Sequence, residues 1–257
     1  MANDVMSQAT STDSVMSQTA LADLASFRSI SRWAAVLTAV GGASVIGALW
    51  MVFFWVPTES TMGIMQRIYY IHIPTAWLGE FAFGIVALCS AGYLLLRDDR
   101  LDSIAVSAAE VGFIFLTGTL VAGPLWARLA WGSWWVWDAR LSFSLLLWLI
   151  WIGYFVIRGG AEEQEKGKRM AAVLAIIGSL DIPLIHMSVY WFRTVHPMPV
   201  IMNPEGPTAD FEIGMTIAAS VTSFTLAFFG ILLYRYGYER LRRQADVLRY
   251  AQAIPDR

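Results

Sequence analysis

Five tryptophans, three histidines and four arginines carry most of the chemistry that this sequence can offer. The stretch "WGSWWVWDAR" (131–140) sets Trp131, Trp134, Trp135 and Trp137 within seven positions and follows them with Asp138 and Arg140. Trp126 stands a turn and a half earlier. Crowded indoles offer flat apolar surface of the kind that holds a large planar ligand by stacking and burial. If the stretch is helical, Trp131, Trp134, Trp135 and Asp138 share one face. Two plainer readings compete. Tryptophan favours the bilayer interface, and Asp138 is placed to cap a helix that starts near Leu141. An interfacial belt, however, spreads one or two tryptophans over many helix ends, whereas here four crowd into one segment.

The histidines add metal chemistry. His72 lies in "QRIYYIHIPTAWLGE", His196 in "VYWFRTVHPMPV" and His186 in "DIPLIHMSV". Neutral imidazole is a common ligand of haem iron, and one histidine on each face makes the iron six-coordinate. Zinc is the competing metal, but it usually draws on more nitrogen, sulfur or carboxylate ligands than these segments supply. His72 and His196 are the expected ligands, with His186 as fallback because it lies within an apolar run. Four arginines stand beside these groups: Arg67 before His72, Arg128 and Arg140 around the tryptophans, and Arg193 before His196. Guanidinium binds carboxylates in bidentate fashion, and haem carries two propionates at one edge. Arg140 and Arg67 are preferred to Arg128. A flat apolar surface, imidazole nitrogen and cationic forks together match an iron-porphyrin.

The elements that hold these groups must lie in a membrane. The chain has 257 residues, of which 57% are hydrophobic and 15% charged, with a mean hydropathy of +0.54. That is too apolar for an ordinary soluble domain. Six runs, near 34–56, 75–96, 104–126, 141–157, 171–192 and 213–234, are long enough to cross a bilayer as helices. The first lacks a small-residue cleavage site and reads as a retained span. Backbone in lipid must be satisfied internally, and no ten-residue alternating segments suggest a barrel, so the expected fold is an all-α, six-helix membrane bundle. Fourteen of the eighteen Lys and Arg residues fall on one side of this scheme, leaving only Arg67, Arg128, Arg140 and Arg193 on the other. The positive-inside rule then puts both termini in the cytoplasm and the tryptophan segment outside.

The expected organisation is a polar N-terminal tail (1–33, with an echo of "VMSQAT" in "VMSQTA"), a membrane domain (34–235) and a basic C-terminal tail (236–257). The basic tail suits anionic lipid or a cytoplasmic partner better than nucleic acid. Cys89 is the only cysteine, so an internal disulfide and a Cys-x-x-Cys-His haem attachment are both excluded. "GGAEEQEKGKR" (159–169) has the wrong glycine interval and no following Ser or Thr for a phosphate loop, so any ATP-driven step belongs to another subunit. Glu80, Glu110 and Asp181 fall within spans and should face the bundle interior. Asp181 is expected to bridge backbone groups freed by Pro183.

"WGSWWVWDARLS", "IYYIHIPTAWLG" and the six spans resemble the tryptophan-rich bacterial haem-handling membrane proteins, and among them the cytochrome c maturation family CcmC, over roughly residues 34–235. The resemblance implies a haem chaperone of the bacterial inner membrane, with no catalytic residues of its own. It implies that haem is held non-covalently, as a b-type iron-porphyrin, at the periplasmic face. One histidine of the first outward loop and one of the last, here His72 and His196, would be the axial ligands. The Trp segment, Asp138 and Arg140 fall on the family signature. It further implies transfer of haem to the chaperone CcmE, within an ABC-type complex with CcmA, CcmB and CcmD. The family's Trp-Trp-Asn-Thr-Leu-His-Gln becomes Trp191-Phe192-Arg193-Thr194-Val195-His196-Pro197 here, with Thr and His in register. Two rival functions use the same residues: a haem-translocating subunit, and a bis-histidine electron carrier. The second expects histidine pairs placed within helices.

Overall fold

The computed structural model describes residues 2–192, 194–197 and 209–253, with side chains described for 26–192, 194–197, 209–246 and 249. All regular structure in these residues is helical. Helix α1 (Ala2–Trp50) ends in a wider turn at Met51–Trp55, and a 3-10 segment at Gly63–Ile68 leads into α2 (Tyr69–Leu96). Then follow α3 (Asp99–Trp131), α4 (Ala139–Gly160), α5 (Gln164–Gly178), α6 (Asp181–Trp191) and α7 (Phe211–Ala253). Helical backbone thus runs back through the N-terminal segment read above as a tail. Six helical stretches are long and apolar enough to cross a membrane, and each overlaps one expected run.

The fifth stretch is α5 and α6 together, and it is broken at Ser179–Leu180, which hydropathy gave no sign of. Pro183 lacks an N–H and its ring crowds the carbonyl four residues back, that of Ser179. The chain responds with tighter bonds there, Leu180 N–H to Ile177 O (3.2 Å) and Ile182 N–H to Ser179 O (3.2 Å).

Helix α2 is central and packs on α3, α5 and α7. Its antiparallel register with α3 can be followed turn by turn. Gly79 meets Leu116, Thr75 Oγ1 lies 3.2 Å from Thr119 Oγ1, His72 lies against Gly123, and the Tyr69 ring meets Trp126 edge-on at 5.8 Å. Helices α1 and α7 approach so closely that a Cβ at Gly41 would stand 2.4 Å from the Ala227 backbone nitrogen. Small residues permit such contacts where lipid supplies no hydrophobic drive. The core centres on Trp151, with Phe83 edge-on at 4.8 Å.

The end of the bundle carrying the termini is laced by charge. Arg158 grips Asp102 through two 2.7 Å bonds, and Arg243 reaches the same carboxylate from α7. Glu110 pairs with Arg235, also across α3 and α7. Asp181 departs from expectation. It is 4% exposed and neither carboxylate oxygen has a hydrogen-bond partner, so it does not bridge backbone groups at the break. The tightened turn satisfies those groups, with Ser179 Oγ donating to Ile176 O at 2.7 Å.

Candidate functional site

At the opposite end, the segment between α3 and α4 carries the tryptophans. Gly132 takes the left-handed conformation (φ 74°) and its N–H bonds back to Arg128 O, which ends α3. Residues 133–138 are not helical, so Trp131, Trp134, Trp135 and Asp138 do not share the helix face expected of them. Instead, the indoles form two edge-on pairs, Trp126 with Trp131 at 5.0 Å and Trp135 with Trp137 at 5.8 Å. Trp134 and Trp137 are the exposed members, at 57% and 76%.

Asp138 caps α4: its Oδ1 accepts the Leu141 N–H at 2.8 Å. Its Oδ2 accepts the Val195 N–H at 3.1 Å, tying the tryptophan segment to the loop of His196. The helix-cap reading and a site role are therefore both served by one carboxylate.

His72 stands in the first turns of α2, not in the loop before it, because the helix starts at Tyr69. Pro74 lies inside α2, where it can donate no N–H to the Tyr70 carbonyl. Thr75 Oγ1 bonds the carbonyls of Ile71 and His72, both at 2.9 Å, and fixes that turn. A Cβ built at Gly123 would lie 3.2 Å from His72 Cε1, so glycine makes room for the ring.

His196 is in the loop after α6, and its Nδ1 lies 2.8 Å from the Pro197 carbonyl. A carbonyl only accepts, so Nδ1 carries the proton and Nε2 keeps a free lone pair. Burial, then the Arg140 charge, lowers the His196 pKa to about 3, against the opposing pull of the Pro197 carbonyl and with a further push from His72. The imidazole is therefore neutral at physiological pH, the form that ligates iron.

Arg140 lies within electrostatic reach of both His72 and His196 and also feels Glu80, Asp138 and Tyr190. His186 is the third histidine of the region, and its Nε2 lies 2.6 Å from Glu80 Oε2, a buried carboxylate on α2. That contact commits Nε2 of His186 to Glu80. Arg128 is committed as well, to the carbonyl of Gly132. Arg193 lies outside the described residues. Arg67 gives one bond, Nη2 to Thr58 Oγ1 at 3.3 Å.

Unpartnered buried atoms show which kind of group the residues fit. Buried polar groups without a hydrogen-bond partner are rare in folded proteins. Ten such atoms occur among the described residues, and six are here: Arg67 Nε and Nη1, Arg140 Nη1, Trp126 Nε1, Trp135 Nε1 and His72 Nδ1. Five of the six are N–H donors, which call for an anionic or acceptor-rich ligand, and a carboxylate-bearing porphyrin supplies both that and a metal for imidazole. The residues fit the group. No three His, Cys, Asp or Glu side chains among the described residues gather to hold a metal ion unaided.

The sequence model of CcmC, described as heme exporter protein C, matches residues 17–251. The chain belongs to that family. It is 34% identical over 197 residues to heme exporter protein C of Bradyrhizobium diazoefficiens, covering 77% of this chain and 75% of that one. Heme exporter protein C of Haemophilus influenzae is 28% identical over 78% of this chain and 81% of its own. The Escherichia coli K12 protein of the same name is 33% identical over 64% and 66%. The family match extends beyond the 34–235 read from motifs, into both terminal segments.

Several residues around this candidate site escaped sequence reasoning. Gln66 is 1% exposed; its Oε1 accepts the Glu59 N–H at 2.9 Å and its Nε2 donates to Tyr70 Oη at 2.7 Å. It fixes the loop that bears Arg67. Its only sequence signal was the Gln66–Tyr70 spacing of one helical turn. Glu80 was read as facing the bundle interior, but His186 was not singled out as its partner. Gly123 and Thr75 carried no signal.

Proposed function

We propose that this protein is a haem-handling membrane component of cytochrome c maturation that binds haem reversibly and passes it on. The observation that carries the reading is the placement of Arg140. It acts on both His72 and His196 while one of its own N–H groups is buried without an acceptor. His72 and His196 would ligate the iron, and Arg140 and Arg67 would take the propionates. Trp126, Trp131, Trp134, Trp135 and Trp137 would cover the macrocycle, and Arg193, three positions before His196 in sequence, is a further candidate for a propionate. Haem supplies an iron centre and two carboxylates; this chain binds, orients and shields them. The holding is non-covalent, since the only cysteine, Cys89, lies well down α2.

The bias of Lys and Arg supports cytoplasmic termini and a periplasmic site in the bacterial inner membrane. We assign CcmE as acceptor and CcmA, CcmB and CcmD as companions, with ATP hydrolysis outside this chain and no enzymatic chemistry within it. Haem translocation by this chain is the second reading. It draws on the broken fifth span and on Asp181 and Glu80, which interact within the bundle beneath the site.

The test is an absorption titration of detergent-purified protein with ferric haem. Wild type should develop sharp Soret and α bands, and His72→Ala and His196→Ala should each weaken them. Unchanged bands in both variants would refute the ligand assignment.

A further inference from the structure

Basic residues at the termini end of the bundle are mostly spoken for. Arg158 and Arg243 share Asp102, Arg235 holds Glu110, and Lys168 holds Glu165. Arg28 and Arg32, like Arg97, Arg100 and Lys166, are not so engaged. Both are exposed on α1, and among the described residues neither has a hydrogen-bond or ion-pair partner. Their spacing of four puts both guanidinium groups on one helix face. With Ser29, Trp33 and Val36 they line an open groove of about 520 Å³.

The groove's position defines its occupant. The opposite stripe of α1, at Ile30, Thr38 and Gly41, takes the contact with α7, so the groove faces outward from the bundle. Trp33 and Val36 are 62% and 50% exposed and begin the apolar run of the first span. Unpaired cations therefore sit one turn from exposed apolar surface, with an indole at the junction. A bilayer presents that same order, phosphate above glycerol above acyl chain.

We propose that this groove binds one anionic phospholipid of the leaflet on the side of the chain termini. The two guanidinium forks hold its phosphate, a geometry that suits Arg better than Lys. Ser29 adds a hydroxyl donor, Trp33 lies against the glycerol region, and Val36 meets the acyl chain. The apolar half separates this site from one for free phosphate. The proposal is independent of haem.

Native mass spectrometry of the delipidated full chain, titrated with phosphatidylglycerol or phosphatidylcholine, tests it. Wild type should retain one phosphatidylglycerol, preferred over phosphatidylcholine by roughly tenfold, and Arg28→Gln/Arg32→Gln should abolish that preference. Arg28→Lys/Arg32→Lys should keep part of it, and Trp33→Ala should shorten retention with both guanidinium groups in place. Arg97→Gln/Arg100→Gln, at the same end of the bundle, should leave it intact. Haem absorption should be unchanged in every variant. The proposal fails if the Arg28/Arg32 double variant retains the lipid. It also fails if the Arg97/Arg100 variant loses it equally, or if inorganic phosphate displaces it. Loss of a co-purifying protein in place of lipid would likewise overturn it.

Discussion

Asp138 and Val195, 57 positions apart, are joined by a 3.1 Å bond from the Val195 N–H to Asp138 Oδ2, while Oδ1 of the same carboxylate caps α4. One side chain thus sets the relative position of the tryptophan segment and the loop of His196. Asp138→Asn keeps one acceptor for the cap but turns an amide N–H₂ toward a backbone donor. Helix content should persist while haem affinity falls by roughly tenfold, the loss of one charge-assisted bond. Asp138→Ala should also cost about 1 kcal/mol of stability through the lost cap. Haem titration and thermal unfolding of the two variants check this.

The arginines divide by what already holds them. Arg140 and Arg67 have buried N–H groups without acceptors, whereas Arg128 is bonded to Gly132 O. Arg140→Gln and Arg67→Gln should each weaken haem binding by about 1.5–3 kcal/mol, and Arg128→Gln by much less. A dissociation constant for each variant decides the order. Equal losses in all three would mean a diffuse charge effect.

The Glu80–His186 contact, 2.6 Å between buried and half-exposed side chains, sets a third expectation. His186→Ala should leave the haem spectrum in place, since its Nε2 already faces Glu80 and His72 and His196 are the assigned ligands. Glu80→Ala removes that hold, so in a His72→Ala background it should restore part of the lost Soret intensity by freeing His186. A spectrum lost in His186→Ala alone would make His186 a ligand.

The low pKa of His196 gives a pH profile. Its folded value, about 3, lies below the ordinary value of 6.5. The unfolded chain therefore takes the proton first as pH falls. This group's contribution to stability is full above about pH 6.5 and declines below it, while the folded imidazole itself stays neutral. In His72→Ala, where His196 is the remaining ligand, bound haem absorbance should be level from pH 7.5 to 5.5. A loss with a midpoint near pH 6.5 would show that His196 titrates freely.

The six spans were legible because a twenty-residue apolar run has few other uses, and the cap at Asp138 because acid before an apolar run is a local signal. Hydropathy gave no sign of the break at Ser179, and Pro183 was its one signal. The tryptophan face was misjudged because Gly132, one residue after Trp131, ends the helix on which the face depended. Contacts between distant positions left no trace in one sequence. Glu80 with His186, His72 against Gly123 and Asp138 with Val195 depend on helix register, which composition and spacing do not encode. Arg128 was the converse case, a site-like residue engaged four positions away at its own helix end.

Electron paramagnetic resonance of the ferric haem complex addresses ligation by both His72 and His196 most directly. Wild type should give a low-spin signal from two axial imidazoles, each single alanine variant should gain a high-spin component, and the double variant should retain no haem after washing. A high-spin wild type, or a low-spin signal untouched by either substitution, would contradict the account.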